Sequence, residues 1–233
     1  MPSKSQGTMA RVWRIFKRVV IFLFFFQFFY ILLLKWVNPP ITLTQLGSWV
    51  TGNGLRRTYV PMKDISPYAK LAVISSEDQL FPDHDGFDFK SIEKAMKHNQ
   101  KSKSLHGAST ISQQVAKNVF LWQGRSWMRK ALEVYFTFMI EWIWGKKRIL
   151  EMYLNVSEMG KGIFGIGAAS HYYYNIPAKS LTRIQAARIA ACLPNPKVFT
   201  IRPLSQHVAT RSPWIIGQMG ILQNDTDIQK LLQ

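Results

Sequence analysis

The run from Val19 to Leu34, VVIFLFFFQFFYILLL, is apolar except for Gln27, and it divides the chain before anything else can be read. Extended to Val37 it covers about 19 residues, or roughly 28 Å of helix, enough to cross the hydrocarbon core of a bilayer. A cleaved signal sequence has a shorter apolar core and small residues at the cut site, whereas this run ends in Lys35, Trp36, Val37, Asn38, Pro39 and Pro40. It therefore reads as an uncleaved anchor over residues 19–37. Lys4, Arg11, Arg14, Lys17 and Arg18 precede it with no acidic residue, and only Lys35 follows at once. By the positive-inside rule the basic tail, residues 1–18, stays in the cytoplasm and everything after the anchor is exported.

Charge then becomes informative. The 30 Lys+Arg outnumber the 13 Asp+Glu, a net +17, and six of those cations but none of the acids fall in residues 1–37, so the exported part carries +11. Such an excess calls for an anionic partner: nucleic acid, phospholipid or a phosphorylated substrate. Export makes nucleic acid a poor candidate. The single cysteine, Cys192, forbids an internal disulfide or a multi-Cys zinc site, and its Ala-rich surroundings predict plain packing.

Residues 38–66, with Pro39, Pro40 and the stretch from Gly47 to Arg57, read as a linker and extended entry segment. From Pro67 to the C-terminus the pattern is helical. Helices are expected over Pro67–Gln79; from Asp88, as cap, to Lys101; from Thr110, with Gln113 completing a capping box, to Phe120; over Ser126–Trp144, stopped by Gly145; over Lys146–Asn155; over Ala168–Tyr174; and over Leu181–Leu193, capped by Ser180. Pro213 puts the continuity of Gln206–Leu222 in question. Strands are scarce, so residues 67–233 form a mainly α domain.

Three constellations could carry chemistry. Glu77 to Asp88 concentrates acids and His84 at a helix end, where a carboxylate can stand at a cleft mouth or simply decorate a polar turn. Gly107 to Asn118 opens a helix with hydroxyls and amides and sets Gln113 and Lys117 four residues apart on one face, which suits an anion or an ordinary capped surface helix equally. Arg125, Arg129 and Glu133 form a stripe at i, i+4, i+8 with Lys130 beside it. Three cations around one carboxylate exceed what a surface ion pair requires, and with Lys117 they could neutralise a pyrophosphate.

Read in order, these segments resemble the motifs of the peptidoglycan glycosyltransferases, glycosyltransferase family 51. The matching residues are Glu77-Asp78, Phe81, His84 and Gly86-Phe87-Asp88; Gly107-Ala-Ser-Thr-Ile-Ser-Gln-Gln114 with Lys117-Asn118; Arg129-Lys130 and Glu133; and Lys146 with Ile149-Leu-Glu151-Met-Tyr-Leu-Asn155. The similarity spans about residues 67–196, and Asn155 to Gly160 with the Leu193-Pro-Asn-Pro196 ending resembles the monofunctional biosynthetic branch. Met159 and Gln185 depart from it, standing where Trp and Glu are expected.

The resemblance implies a lysozyme-like helical fold that polymerises lipid II onto a growing glycan strand, releasing undecaprenyl pyrophosphate with inversion at the anomeric carbon. It implies Glu77 as general base and Glu133 as second carboxylate; Lys117, Arg125, Arg129 and Lys130 on the pyrophosphate; and Ser109, Gln113, Gln114 and Asn118 along the cleft. His84 would brace the first motif. No cofactor is obligatory, although a divalent ion, Mg or Mn, could be held near Glu133. The partners implied are lipid II, the glycan strand, the membrane and other cell-wall or division proteins, with no nucleic acid, in a single-pass inner-membrane enzyme. The competing readings are a membrane-anchored muramidase, which has no need of four cations near its second carboxylate, and a non-catalytic cell-wall scaffold.

Overall fold

The computed structural model describes residues 4–101, 107–124 and 126–233, which form two compact units, Met1–Asn38 and Pro39–Gln233. The first is one helix, α1 (Lys4–Leu33), of which Met9–Leu33 is long and apolar enough to cross a membrane. It begins well before the expected anchor and ends sooner: residues 34–37 are a turn, with the Val37 N–H donating to Leu33 O. Asn38, Pro39 and Pro40 follow, and a residue before proline is driven out of the helical region.

The second unit begins with a correction. Within the expected linker, α2 (Leu43–Val50) is helical, started by a capping box in which Thr42 Oγ1 accepts from Gln45 N and Gln45 Oε1 accepts from Thr42 N. Next come a two-residue strand, β1 (Arg56–Arg57), and a 3-10 turn, Met62–Asp64.

The core is organised around α3 (Pro67–Glu77). Every residue from Ala69 to Ser75 is buried, as befits a helix covered on all sides. Around it pack α9 (Arg183–Cys192), α10 (Gln206–Leu222) and α11 (Thr226–Leu232). Lys70 is 2% exposed and donates through Nζ to Leu232 O at 2.8 Å, so it caps the C-terminal end of α11. Burial, and then the nearby Lys147, hold its pKa below the ordinary lysine value.

A second layer is made by α5 (Ile111–Phe120), which packs on α6 (Trp127–Trp144) and α7 (Lys146–Val156). A further helix, α4 (Phe89–Lys101), is started by Asp88, whose Oδ1 accepts from Ser91 N. Two short strands, β2 (Glu158–Gly160) and β3 (Ile163–Phe164), join β1 in a sheet of order β1-β3-β2, parallel between β1 and β3 and antiparallel between β3 and β2. From it leads α8 (Ile166–Tyr174). Asn155 ties this region to the entry segment, accepting from Val60 N at 2.7 Å and donating to Val60 O at 2.9 Å.

The remaining boundaries fall near expectation, with two differences. The cap of α9 is Thr182 rather than Ser180, which lies in a 3-10 turn; Gln185 completes its box, so the amide does there what a glutamate would. The helix α10 runs through Pro213, because Val208, Ser212, Ile215 and Met219 are buried on both sides of it. Cys192 is fully buried and burial pushes its thiol up to about 12, consistent with packing rather than reactivity.

Candidate active site

Glu77 is the last residue of α3, and its side chain crosses to α5. Oε2 accepts from Gln114 Nε2 at 2.8 Å, Oε1 accepts from Ser76 Oγ at 3.2 Å, and the buried Tyr153 of α7 donates to Gln114 Oε1 at 3.2 Å. The residue is half-buried by surface, yet enough protein surrounds the carboxylate for desolvation to raise its pKa above the usual carboxylate range. The two hydrogen bonds and the charge of Arg211 work against that rise, and the neighbouring Asp78 adds to it.

What fixes Glu77 is the turn that follows it. Asp78 is buried and accepts from His84 Nε2 at 2.9 and 3.1 Å and from the N–H of Ile111, the first residue of α5, at 2.9 Å. The Gly86 N–H points at His84 Nδ1, 3.1 Å away, and an amide can only donate. Nδ1 therefore accepts and Nε2 carries the proton offered to Asp78. His84 is a brace between the end of α3 and the start of α5. Gly86 itself has φ +87°, and a Cβ there would stand 2.7 Å from Thr137 Cγ2 and 3.0 Å from Glu141 Cγ. Lys146 closes the turn from the other side: its Nζ donates to His84 O and to Glu141 Oε1, and lies 4.8 Å from the centre of the Phe81 ring.

The second carboxylate, Glu133, sits on α6 with 3% of its surface exposed. Arg129 Nη1 donates to one oxygen at 2.6 Å and Lys130 Nζ to the other at 2.5 Å. Arg129 Nε is buried without a protein acceptor. Lys117, on α5, lies between the two carboxylates electrostatically: burial lowers its pKa most, Glu133 pulls it back up, Arg129 and Lys130 lower it again, and Glu77 raises it.

Two cavities open on this arrangement. The larger, about 600 Å³, is lined by Gln114, Lys117 and Asn118 of α5, by Thr44 and Ser48 of α2, and by the turn Leu193–Lys197. The smaller, about 410 Å³, is lined by Glu77, Asp78, Asp88, Ser91, Lys94 and Gly107–Thr110. Glu77 thus faces one cavity while its partner Gln114 faces the other.

A family model described as Transglycosylase matches residues 44–220, three quarters of the sequence. The chain belongs to the transglycosylase family. Among its relatives, a protein named biosynthetic peptidoglycan transglycosylase from Yersinia pseudotuberculosis serotype O:3 (strain YPIII) is 46% identical over 230 residues, and one of the same name from Yersinia pestis (strain Pestoides F) is 47% identical over 229; each alignment covers 95% of both chains. The chain is a glycosyltransferase, with an apolar helix suited to a single-pass anchor ahead of its transglycosylase domain.

Of the residues singled out from the transglycosylase motifs, the structure brings together Glu77 and Gln114 by direct contact, and Lys117, Arg129, Lys130 and Glu133 across the α5–α6 packing. Asn118 and Ser109 line the larger and the smaller cavity respectively. Gln113 lines neither cavity: it is 3% exposed and its side-chain oxygen accepts from Thr110 N in the capping box that starts α5. Arg125 lies outside the described residues.

Sequence reasoning missed Arg211, which belongs to no quoted motif and lies 134 positions from Glu77. Its guanidinium rests 3.6 Å from the centre of the Trp214 ring, and it interacts with the Glu77 charge. It also gave Tyr153 and Asp78 no role, although both stand in quoted motifs. Glu151 accepts from Met62 N and Arg148, and Glu158 accepts from Gly162 N, so each of these carboxylates ties down local backbone.

Both oxygens of Glu133, the residue near which a divalent ion was expected, accept from the cations Arg129 and Lys130.

Proposed function

We propose that this glycosyltransferase polymerises lipid II into β-1,4-linked glycan strands of peptidoglycan, with Glu77 as the general base. The observation that carries the reading is the contrast between its two carboxylates. Glu77 is desolvated and hydrogen-bonded to neutral amide and hydroxyl groups, which suits a group that must take up a proton. Glu133 is clamped by two cations, which suits a group that holds charge in place.

The 4-hydroxyl of the incoming lipid II GlcNAc enters beside Glu77 from the smaller cavity and gives its proton to the carboxylate as its oxygen attacks the anomeric carbon of the terminal MurNAc. The bond to the pyrophosphate breaks with its electron pair, and undecaprenyl pyrophosphate departs. One displacement on an α-linked donor yields the β product. Lys117, Arg129 and Lys130 against Glu133 leave a formal excess of two positive charges where the leaving group becomes more anionic. Arg125 is assigned the same role from the Arg125, Arg129, Glu133 stripe of the sequence alone. The N-terminus lies in the cytoplasm and the domain outside it, next to the lipid-linked substrate and to other cell-wall proteins; protease protection of membranes tests that orientation.

The chemical test supplies labelled lipid II to the full chain in detergent. A muramidase-sensitive ladder, with one undecaprenyl pyrophosphate released per linkage, is the expected result. Cleavage of preformed strands without polymer formation would overturn the reading in favour of a hydrolase.

A further inference from the structure

The larger cavity presents a cation that the displacement does not use. Among the described residues two cations line it, Lys117 and Lys197, and one acid, Glu158, whose Oε1 accepts from Gly162 N at 2.9 Å. Lys117 accounts for one end. The charges that act on it belong to Glu133, Arg129, Lys130 and Glu77, so that end is the one assigned above to the leaving diphosphate. Lys197 is not among those charges. It comes from the other layer of the domain, in the turn after α9, and it forms no ion pair with a described residue. That turn is held still. Pro194 and Pro196 fix two of its backbone angles, Asn195 N donates to Cys192 O at 3.1 Å, and the Val198 and Phe199 amides donate to Asn195 O at 3.0 and 2.8 Å. The Phe199 ring stacks on His207 of α10 with centroids 3.8 Å apart, which pins the turn to the core layer. A lysine on a fixed turn meets an anion without the cost of ordering its backbone.

A ligand that satisfies both lysines carries two separate anionic groups on one compact unit. The cavity, about 600 Å³, is of a size for a sugar and the groups attached to it. Since the acceptor enters from the smaller cavity, the muramyl sugar that loses its diphosphate occupies the larger one. That sugar has the required pattern: its anomeric carbon bears the diphosphate, and its lactyl arm bears a peptide with free carboxylates. We propose that Lys197 is a specificity-determining residue of the donor site, pairing with a carboxylate of the peptide on the muramyl sugar whose diphosphate meets Lys117. The proposal rests on the function assigned above. Because Lys197 is exposed, a neutral peptide leaves its ammonium in water at no cost, whereas an acidic one gains an ion pair. Lys197 therefore sorts substrates by the charge of their peptide and takes no part in the displacement itself.

The test measures polymerisation by the full chain in detergent on two preparations of lipid II, one with free peptide carboxylates and one with those groups converted to carboxamides. Wild type should show a KM about two- to fivefold lower for the carboxylate form, the factor expected from one exposed ion pair, at equal kcat. Added salt should erase the difference. Lys197→Gln should raise the KM of the carboxylate form to that of the carboxamide form and leave the latter unchanged, and Lys197→Arg should restore the preference. A loss of the same size on both substrates, or on neither, would overturn the proposal. So would an effect of Lys197→Gln confined to vesicles containing phosphatidylglycerol, which would give the residue to lipid headgroups. Equilibrium binding of the same two lipids, read by the anisotropy of a fluorescent label, separates this proposal from the function it rests on. Absence of polymerisation by wild type, with a Lys197-dependent preference kept in binding, would remove the assigned reaction and leave the peptide contact standing. Binding without that preference would overturn the contact whatever the rate.

Discussion

Replacing Gly86 by alanine should destabilise the fold through two separable effects. At φ +87° an L-residue costs about 1–2 kcal/mol. The new methyl would stand 2.7 Å from Thr137 Cγ2 and 3.0 Å from Glu141 Cγ. Neither neighbour yields easily: Thr137 Oγ1 donates to Glu133 O at 2.6 Å, and the Glu141 carboxylate is held by Lys146 and Ser112. Overpacking of that kind costs about 1–3 kcal/mol. The sum, about 2–5 kcal/mol, corresponds to roughly a 5–15 °C fall in the unfolding midpoint for a domain of this size. The assay is thermal unfolding of the full chain in detergent followed by near-UV circular dichroism. Thr137→Ser removes the clashing methyl while keeping the hydroxyl, so the double variant should be more stable than the sum of the single effects by about 1–2 kcal/mol. Strict additivity would refute the assignment of the clash to Thr137. An unchanged midpoint in Gly86→Ala would refute the whole argument.

Other consequences follow from the same geometry. Gln114→Leu removes the donor that lowers the pKa of Glu77, so the acid limb of the pH–rate profile should move to higher pH; a uniform loss of rate with an unmoved limb would contradict that role. Because burial raises the pKa of Glu77 in the folded state, its ionisation costs stability as pH rises through the folded value. Glu77→Gln should therefore unfold at a higher temperature than wild type at neutral pH, a gain that vanishes below the ordinary carboxylate range, as pH-dependent melting would show. Glu133→Ala strips two cations of their shared partner and should cost about 3–5 kcal/mol in denaturant unfolding, reduced to the extent that the half-exposed Lys130 reaches water. Lys117→Met should lower the polymerisation rate by about 10- to 1000-fold with little effect on the unfolding midpoint, since desolvation already burdens that ammonium.

What the sequence disclosed depended on how local each signal was. Thr110 and Gln113 announced the start of α5 because both partners of a capping box lie within three residues. Thr42 and Gln45 make the same box, but the glycines after them and the apolar residues that point outward hid α2 inside an apparent linker. The strands are two or three residues long, too short for any alternation to register. Gln113 stood in both a capping box and a motif, and the sequence did not say that the first engagement buries the amide away from both cavities. Arg211 was invisible for the opposite reason: only the packing of α10 against α3 brings it within electrostatic range of Glu77.

The measurement that bears most directly on the central claim compares wild type with Glu77→Gln on labelled lipid II, at matched protein concentration and with folding of both checked by their melting curves. The account predicts a muramidase-sensitive glycan ladder from wild type and none from the variant, although the variant melts no lower. A variant that polymerises at the wild-type rate would show that Glu77 is not the base.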